Sequence, residues 1–142
     1  MDSPVALIPQ LAGHIIAAGG KALAITVDVA DPASVAAMIE RAEEGLGKVD
    51  TLFNNAGVMN IGSVEDADLG ALCSMIRLNF ESVVRMSYVA LRYMKPKGHG
   101  FLINTSSLAG LKTFPHLGVY NGTKFAVEAL TDALRMELAG SG

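Results

Sequence analysis

The chain has 142 residues, of which 51% are hydrophobic and 18% charged, so it can bury one core and is not a disordered or low-complexity sequence. Its formal net charge is −3 and no basic run occurs, which argues against nucleic acid or an anionic membrane surface as a partner. The single Cys73 cannot form an internal disulfide and has no neighbours at zinc-ligand spacing, so we expect no metal site and a reducing, cytoplasmic location. The longest early uncharged stretch, residues 4–20, is broken by Pro9, Gln10 and His14, which argues against an export signal or a membrane span.

The N-terminal region predicts a helix followed by a strand. Residues 5–18 are compatible with a helix, although no strand precedes it. Residues 22–27, Ala-Leu-Ala-Ile-Thr-Val, form a short apolar run rich in β-branched side chains between Gly20 and Asp28. A run of this kind between turn residues is typical of a buried strand, and it predicts the first strand of the chain.

A helix and a second strand are predicted next. Asp31 directly before Pro32 is a helix start signal, and apolar residues recur at helical spacing until Gly47. Residues 49–53 predict an apolar strand. This strand leads into Asn54-Asn-Ala-Gly57, where small and amide side chains suit a tight exit.

The second half predicts two long helices around a third strand. From residue 68 to 94, one helical stripe is predicted to face inward; it contains Leu69, Leu72, Ile76, Asn79, Val83, Ser87 and Leu91. Residues 101–105 predict the third strand, and residues 119–138 the last helix. The order βαβαβα implies parallel strands in an α/β, doubly wound, three-layer fold, with residues 1–142 forming one partial domain. A three-stranded sheet is thin and has two unpaired edges, so we expect the chain to be a piece of a larger domain.

Three polar groups are candidates for chemistry. Tyr120 and Lys124 are four residues apart, so their side chains project from one helix face, and a cation beside a phenol favours the phenolate. Alone, this pair is more often structural. Ser107 ends Asn104-Thr-Ser-Ser at the carboxyl end of a predicted strand, where parallel sheets bind ligands. The hydroxyls of Thr105, Ser106 and Ser107 could instead hydrogen-bond only to the loop backbone. The Asn79 amide could instead satisfy a buried backbone carbonyl.

Five motifs follow one another in a fixed order: Asp28-Val29, Asn54-Asn-Ala-Gly57, Asn79, Asn104-Thr-Ser-Ser107 and Tyr120-x-x-x-Lys124. On these motifs the chain resembles the short-chain dehydrogenase/reductase family in its compact form, from about Gly19 onward. The resemblance implies a Rossmann-type fold and a hydride transfer between NAD or NADP and an alcohol or carbonyl carbon of a small molecule. No metal is implied.

The resemblance also implies a role for each matched residue. Tyr120 would exchange a proton with the substrate oxygen, while Lys124 would favour its phenolate and hold the nicotinamide ribose. Ser107 would hydrogen-bond the substrate oxygen, and Asn79 would relay protons through ordered water. By analogy, His116 and Leu117 would line a substrate pocket. The implied cofactor contacts are Asp28 and Val29 at the adenine, and Asn55, Ala56 and Gly57 along the ribose and diphosphate side.

Two features depart from the family. The glycine-rich turn that binds the diphosphate is not found, because Gly19-Gly20 has no strand before it. The charged residue that distinguishes NAD from NADP is also not found, so the preference stays open. A truncated, catalytically inactive relative that acts as a dimerisation or regulatory module is therefore an alternative, and an epimerase or dehydratase of the extended branch is a third. In the family the two long helices pair with their copies, which implies a homodimer or homotetramer.

Overall fold

The computed structural model describes residues 4–29, 31–63 and 65–141. The chain divides into two compact units, one ending at Val49 and the other beginning at Asp50. The first unit contains helices α1 (Pro4–Ala17) and α2 (Pro32–Leu46). Both helices agree with the sequence-based expectation.

Helix α2 begins and ends as the sequence predicts. The Asp31 carboxylate accepts hydrogen bonds from the backbone N–H groups of Ala33 and Ser34 at 3.1 and 3.2 Å, and Pro32 occupies the first turn. Gly47, with φ at 91°, follows the last helical residue and donates its N–H to Glu43 O at 2.9 Å. A side-chain cap of this kind stabilises a helix by about 1 kcal/mol.

The strand predicted over residues 22–27 was wrong. In the described part of the chain these residues are assigned to no strand, and no described backbone hydrogen bond pairs them with one. The segment instead lies on α2, because the Leu23 side chain approaches to 2.8 Å from the position that a Cβ on Gly45 would occupy. β-Branched composition favours a half-buried extended surface, but a strand also requires a neighbour whose N–H and C=O groups pair with its own.

The second unit alternates strands and helices, with two strands where the sequence suggested three for the whole chain. Its elements are β1 (Thr51–Asn54), α3 (Leu69–Ile76), a π-helical turn (Arg77–Glu81), α4 (Ser82–Met94), β2 (Phe101–Asn104) and α5 (Gly118–Glu137), with short 3-10 turns at Lys95–Lys97 and Leu108–Gly110. Strands β1 and β2 are parallel, in register from Thr51 opposite Phe101 to Asn54 opposite Asn104. This arrangement is a partial α/β Rossmann-type sheet.

The helix predicted over residues 68–94 is interrupted by the π-helical turn. This turn is one residue wider than an α-helical turn, so it displaces the buried face before it by one position. Met75 is therefore the buried side chain, at 1% exposure, whereas the predicted inward residue Ile76 is 43% exposed. Leu69, also predicted to face inward, is exposed for the same reason. Val83 and Ser87, which follow the turn, are buried as predicted.

The core of the second unit lies on one side of the sheet. Along β1 and β2, Leu52, Asn54, Leu102 and Asn104 are buried or half-buried, while Phe53 and Phe101 are exposed, which is the alternation expected of a strand covered on one face. Both strands contact α4. The buried apolar side chains of its α-helices are Met75, Val83, Met86, Ala90, Met94 and Val127.

Replacing Met75 by alanine should leave a cavity in this core. We expect Met75→Ala to lower the free energy of unfolding by about 2–5 kcal/mol in a urea titration. The matched control is Met136→Ala on α5, where Met136 is 74% exposed, and its effect should stay within about 0.5 kcal/mol. Equal stabilities of the two variants would contradict the one-residue displacement of the buried face.

Candidate active site

Two of the polar motifs, residues 54–57 and residues 104–107, meet at the carboxyl ends of β1 and β2. Beyond the last paired residues, the Thr105 N–H donates to Asn54 O at 2.9 Å, and the Thr105 hydroxyl donates to Asn55 Oδ1 at 3.0 Å. The loops that leave the two strands therefore run side by side. Crevices outside the carboxyl ends of parallel strands are the usual ligand sites of open α/β sheets.

A chain of side-chain hydrogen bonds connects both strand ends to α5. Asn54 Nδ2 donates to Asn104 Oδ1 at 2.8 Å, and Asn104 Nδ2 donates to Thr131 Oγ1 at 2.9 Å. The Thr131 hydroxyl in turn donates to Val127 O at 2.7 Å within α5. Sequence analysis missed the role of Asn104 and Thr131, although asparagines ending two neighbouring strands were a usable signal.

Asn79 fixes the loop after β1. It is 1% exposed, its Oδ1 accepts from Val58 N at 2.8 Å, and its Nδ2 donates to Val58 O at 2.7 Å. A weaker contact of 3.4 Å joins Nδ2 to Thr123 Oγ1 on α5. The structure thus shows the alternative in which a buried amide satisfies a loop backbone at a helix irregularity, here the π-helical turn, and the proton relay stays a prediction.

Gly57 lies against Asn79 and Lys124. A Cβ at Gly57 would be 3.3 Å from Asn79 Oδ1 and 3.8 Å from Lys124 Nζ, so the absence of a side chain keeps the backbone close to both groups. Asn55, Ala56 and Gly57 are otherwise exposed on the loop surface. They form an accessible edge next to the buried lysine.

Lys124 is the buried cation of the site. Its residue is 5% exposed, and Nζ donates to Thr105 O at 2.8 Å. The same Nζ lies 5.8 Å from the centre of the Tyr120 ring, as the four-residue spacing predicted. A lysine ammonium carries three donors, so the bond to Thr105 leaves capacity for ligand hydroxyls.

Ser107 and Tyr120 border the same region. Ser107 Oγ accepts from Ala109 N at 3.1 Å and begins the 3-10 turn, so its O–H remains a donor that this bond does not use. Tyr120 is half-buried in the first turns of α5, and its carbonyl accepts from the Thr123 hydroxyl at 2.8 Å. Ser107 therefore also has the loop-backbone contact that was the open alternative.

Asp28 and Val29 belong to the first unit. The Asp28 N–H donates to Ser34 Oγ at 3.1 Å, and Asp28 O accepts from Asp31 N at 3.1 Å, which places Asp28 in the turn before α2. Their contact with an adenine stays a prediction.

A cavity of about 390 Å³ lies next to the start of α5. His116 and Leu117, expected at a substrate pocket, are both on its wall, together with the loop of residues 60–63 and Leu72 of α3. Across the described ranges, no group of three or more His, Cys, Asp or Glu side chains is placed to hold a metal ion. Of the helices described, none is long and apolar enough to cross a bilayer.

Parallel strands with polar loops converging at their carboxyl ends are typical of ligand-binding open α/β sheets, among them the dinucleotide-binding proteins. The sequence profile of one such family, described as short chain dehydrogenase, matches residues 2–142, and the chain belongs to this family. The resemblance on the five motifs is thereby confirmed.

Curated relatives carry several activities in their names. The chain is 33% identical over 135 residues to the ketoacyl reductase HetN of Nostoc, covering 95% of the chain and 47% of that protein. It is 37% identical over 136 residues to the oxidoreductase UcpA of Escherichia coli, with 95% and 52% covered. A 3-alpha-(or 20-beta)-hydroxysteroid dehydrogenase of Mycobacterium tuberculosis is 34% identical over 139 residues, with 92% and 54% covered. The chain spans about half the length of these relatives.

Solved structures show the same fold. A short-chain dehydrogenase/reductase from Burkholderia phymatum in complex with NAD superposes with a TM-score of 0.91 at 31% identity, covering 98% of this chain and 50% of the other. A gluconate 5-dehydrogenase from Burkholderia cenocepacia in complex with NADP and tartrate gives a TM-score of 0.85 at 30% identity, with 94% and 52% covered. The predicted Rossmann-type fold class is confirmed.

The two-way contact between Asn79 and Val58 makes a sharp test. Asn79→Asp retains an acceptor for Val58 N but loses the donor to Val58 O and buries a charge, so it should lower the free energy of unfolding by at least about 1–3 kcal/mol. Asn60→Asp, the same chemical change at an exposed position, is the control. Urea titrations that give both variants the stability of the unaltered chain would refute a stabilising contact between Asn79 and Val58.

Proposed function

We propose that this chain carries the catalytic residues of an NAD(P)-dependent oxidoreductase that interconverts an alcohol and a carbonyl group of a small molecule in the cytoplasm. The observation that supports this proposal most directly is the buried Lys124, bonded to Thr105 O at 2.8 Å and 5.8 Å from the Tyr120 ring centre. A buried ammonium is costly unless it is hydrogen-bonded, and one held beside a phenol is suited to acid-base chemistry.

Tyr120 is the proposed acid and base. In the reductive direction its hydroxyl donates a proton to the carbonyl oxygen, and in the oxidative direction its phenolate accepts the alcohol proton. Lys124 is the proposed fixed cation beside this phenol, with Nζ 5.8 Å from the ring centre. The Ser107 O–H donates to the same substrate oxygen and so stabilises the negative charge that develops there. Asn79 holds the neighbouring loop and is the proposed relay for proton exchange with water.

The residues present fit a nicotinamide nucleotide. Gly57 has no side chain next to Lys124 Nζ, so the loop from Asn55 to Gly57 offers open backbone beside a buried cation with donors for ribose hydroxyls. When bound, the nicotinamide supplies or receives the hydride. Asp28 and Val29 are the proposed adenine contacts within one partial domain over residues 1–142. The relatives solved with NAD and with NADP support either cofactor for this chain.

Removing the Tyr120 hydroxyl tests the proposal. Tyr120→Phe should lower the rate of carbonyl reduction by about 10²–10⁴-fold, because the proton donor is lost, while the circular dichroism spectrum stays unchanged. The assay follows nicotinamide absorbance with NADH and, separately, NADPH over a panel of aldehydes and ketones.

Tyr88→Phe serves as the matched control for this assay. Tyr88 is exposed on α4 and its hydroxyl accepts from Arg92 at 3.0 Å, so this variant should retain the full rate. A Tyr120→Phe variant that reduces the panel as fast as Tyr88→Phe would exclude Tyr120 as the acid.

A surface of the second unit supports a second candidate function, the dimerisation or regulatory module. An apolar opening of about 310 Å³ lies between the end of α3 and the start of α5, lined by Ile76, Phe80, Val119, Gly122, Thr123 and Ala126. Exposed apolar surface of this kind marks sites of association. Pairing of these helices with a second copy would give the homodimer or homotetramer that the resemblance implies, with or without catalysis.

A charge in this opening should disrupt the association. Ile76→Glu is expected to shift the sedimentation coefficient from that of a dimer or tetramer toward that of a monomer, because pairing would bury an unpaired carboxylate. Leu111→Glu, at an exposed apolar position outside the helices, should leave the sedimentation coefficient unchanged. An unaltered chain that stays monomeric at every concentration would contradict the paired assembly.

A further inference from the structure

Residues 114–117 form a tight turn shortly before Tyr120. Leu117 N donates to Phe114 O at 3.4 Å, and the His116 backbone has φ at 62°, in the left-handed region that is uncommon for residues other than glycine. His116 O accepts from Gly62 N at 3.0 Å, which attaches the turn to the loop that follows β1. The turn is thus held on one side by a single backbone hydrogen bond.

Asn121 holds the other side of the turn. It is 4% exposed, and its Nδ2 donates to Phe114 O at 2.9 Å while its backbone N–H donates to Leu117 O at 2.7 Å. Leu117, at the cap position of α5, supplies no side-chain cap for the helix. The described side-chain contact between the helix start and the Phe114 carbonyl is therefore made by the Asn121 amide.

The other half of the Asn121 amide is unsatisfied. Within the described chain, its Oδ1 is buried and has no hydrogen-bond donor. A buried acceptor without a partner destabilises the folded state, whereas an apolar side chain of similar shape at such a position is close to neutral. The Oδ1 atom therefore gives no reason for an asparagine at this position, whereas the hydrogen bond from Nδ2 to the turn does.

The turn borders the cavity at the start of α5. His116 and Leu117 line the 390 Å³ cavity, and Phe114 and His116 line a second opening of about 570 Å³. A shift of the turn would therefore change the space on both of its sides. We infer that Asn121 is a positioning residue, which fixes the turn of residues 114–117 and so sets the shape of the cavity at the start of α5. Its consequence for catalysis rests on the proposed function.

Hydrogen exchange of the Gly62 amide tests the inference without any turnover. In Asn121→Leu, which removes both polar atoms and keeps a similar volume, the Gly62 N–H should exchange about tenfold faster, because the loss of one hydrogen bond loosens the carbonyl that accepts it. The melting temperature and the exchange of the Val127 amide in α5 should stay the same. Asn121→Ala serves as a second variant should the leucine variant fail to fold.

Gly122→Ala is the matched control, since a Cβ at Gly122 meets nothing within 4 Å and changes only helix propensity. It should leave Gly62 exchange unchanged. Unchanged Gly62 exchange in both Asn121 variants would overturn the inference, as would acceleration spread equally over α5. Accelerated exchange in a chain that reduces no carbonyl compound would uphold the positioning role and refute the proposed function.

Discussion

The site depends on how the loop that follows β1 is anchored. The chain leaves β1 without regular secondary structure, so the N–H and C=O of Val58 take their partners from a side chain. Asn79 supplies both, at 2.8 and 2.7 Å, and it reaches them from a π-helical turn inside an otherwise continuous helix. The π-helical turn carries Asn79, and Gly57 lies against both Asn79 and Lys124. These three features therefore meet at the contact between Asn79 and Val58.

Lys124 is also held by a hydrogen bond to the loop backbone at the strand ends. Its bond to the carbonyl of Thr105 compensates part of the cost of burying an ammonium, and Thr105 itself is bonded to Asn54 and Asn55. The charge is therefore held at the junction of both strand ends rather than at the surface. Hydrogen bonds in a poorly hydrated setting are stronger, so a fixed cation there acts on its neighbours more than a solvated one would.

Proteins that share this fold carry different activities in their names. The relatives that share this fold include proteins named for ketoacyl, hydroxysteroid and gluconate chemistry, although all of them superpose or align over most of this chain. Tyr120 and Lys124, the proposed acid-base pair, lie on α5, whereas loops such as residues 60–63 and 114–117 surround the cavity. Because a common scaffold can carry many pockets, we expect loops of this kind to decide substrate choice.

Much of the architecture was readable from local sequence signals. Asp31-Pro32 and Gly47 set the ends of α2, the apolar runs located β1 and β2, and the spacing of Tyr120 and Lys124 placed both on one face of α5. These features follow from the chemistry of adjacent residues. Tertiary contacts decided the rest: residues 22–27 lack a strand partner, and the π-helical turn exchanges Ile76 for Met75 in the core. The anchoring of Phe114 by Asn121 likewise depends on groups seven residues apart meeting across a turn, which no local periodicity specifies.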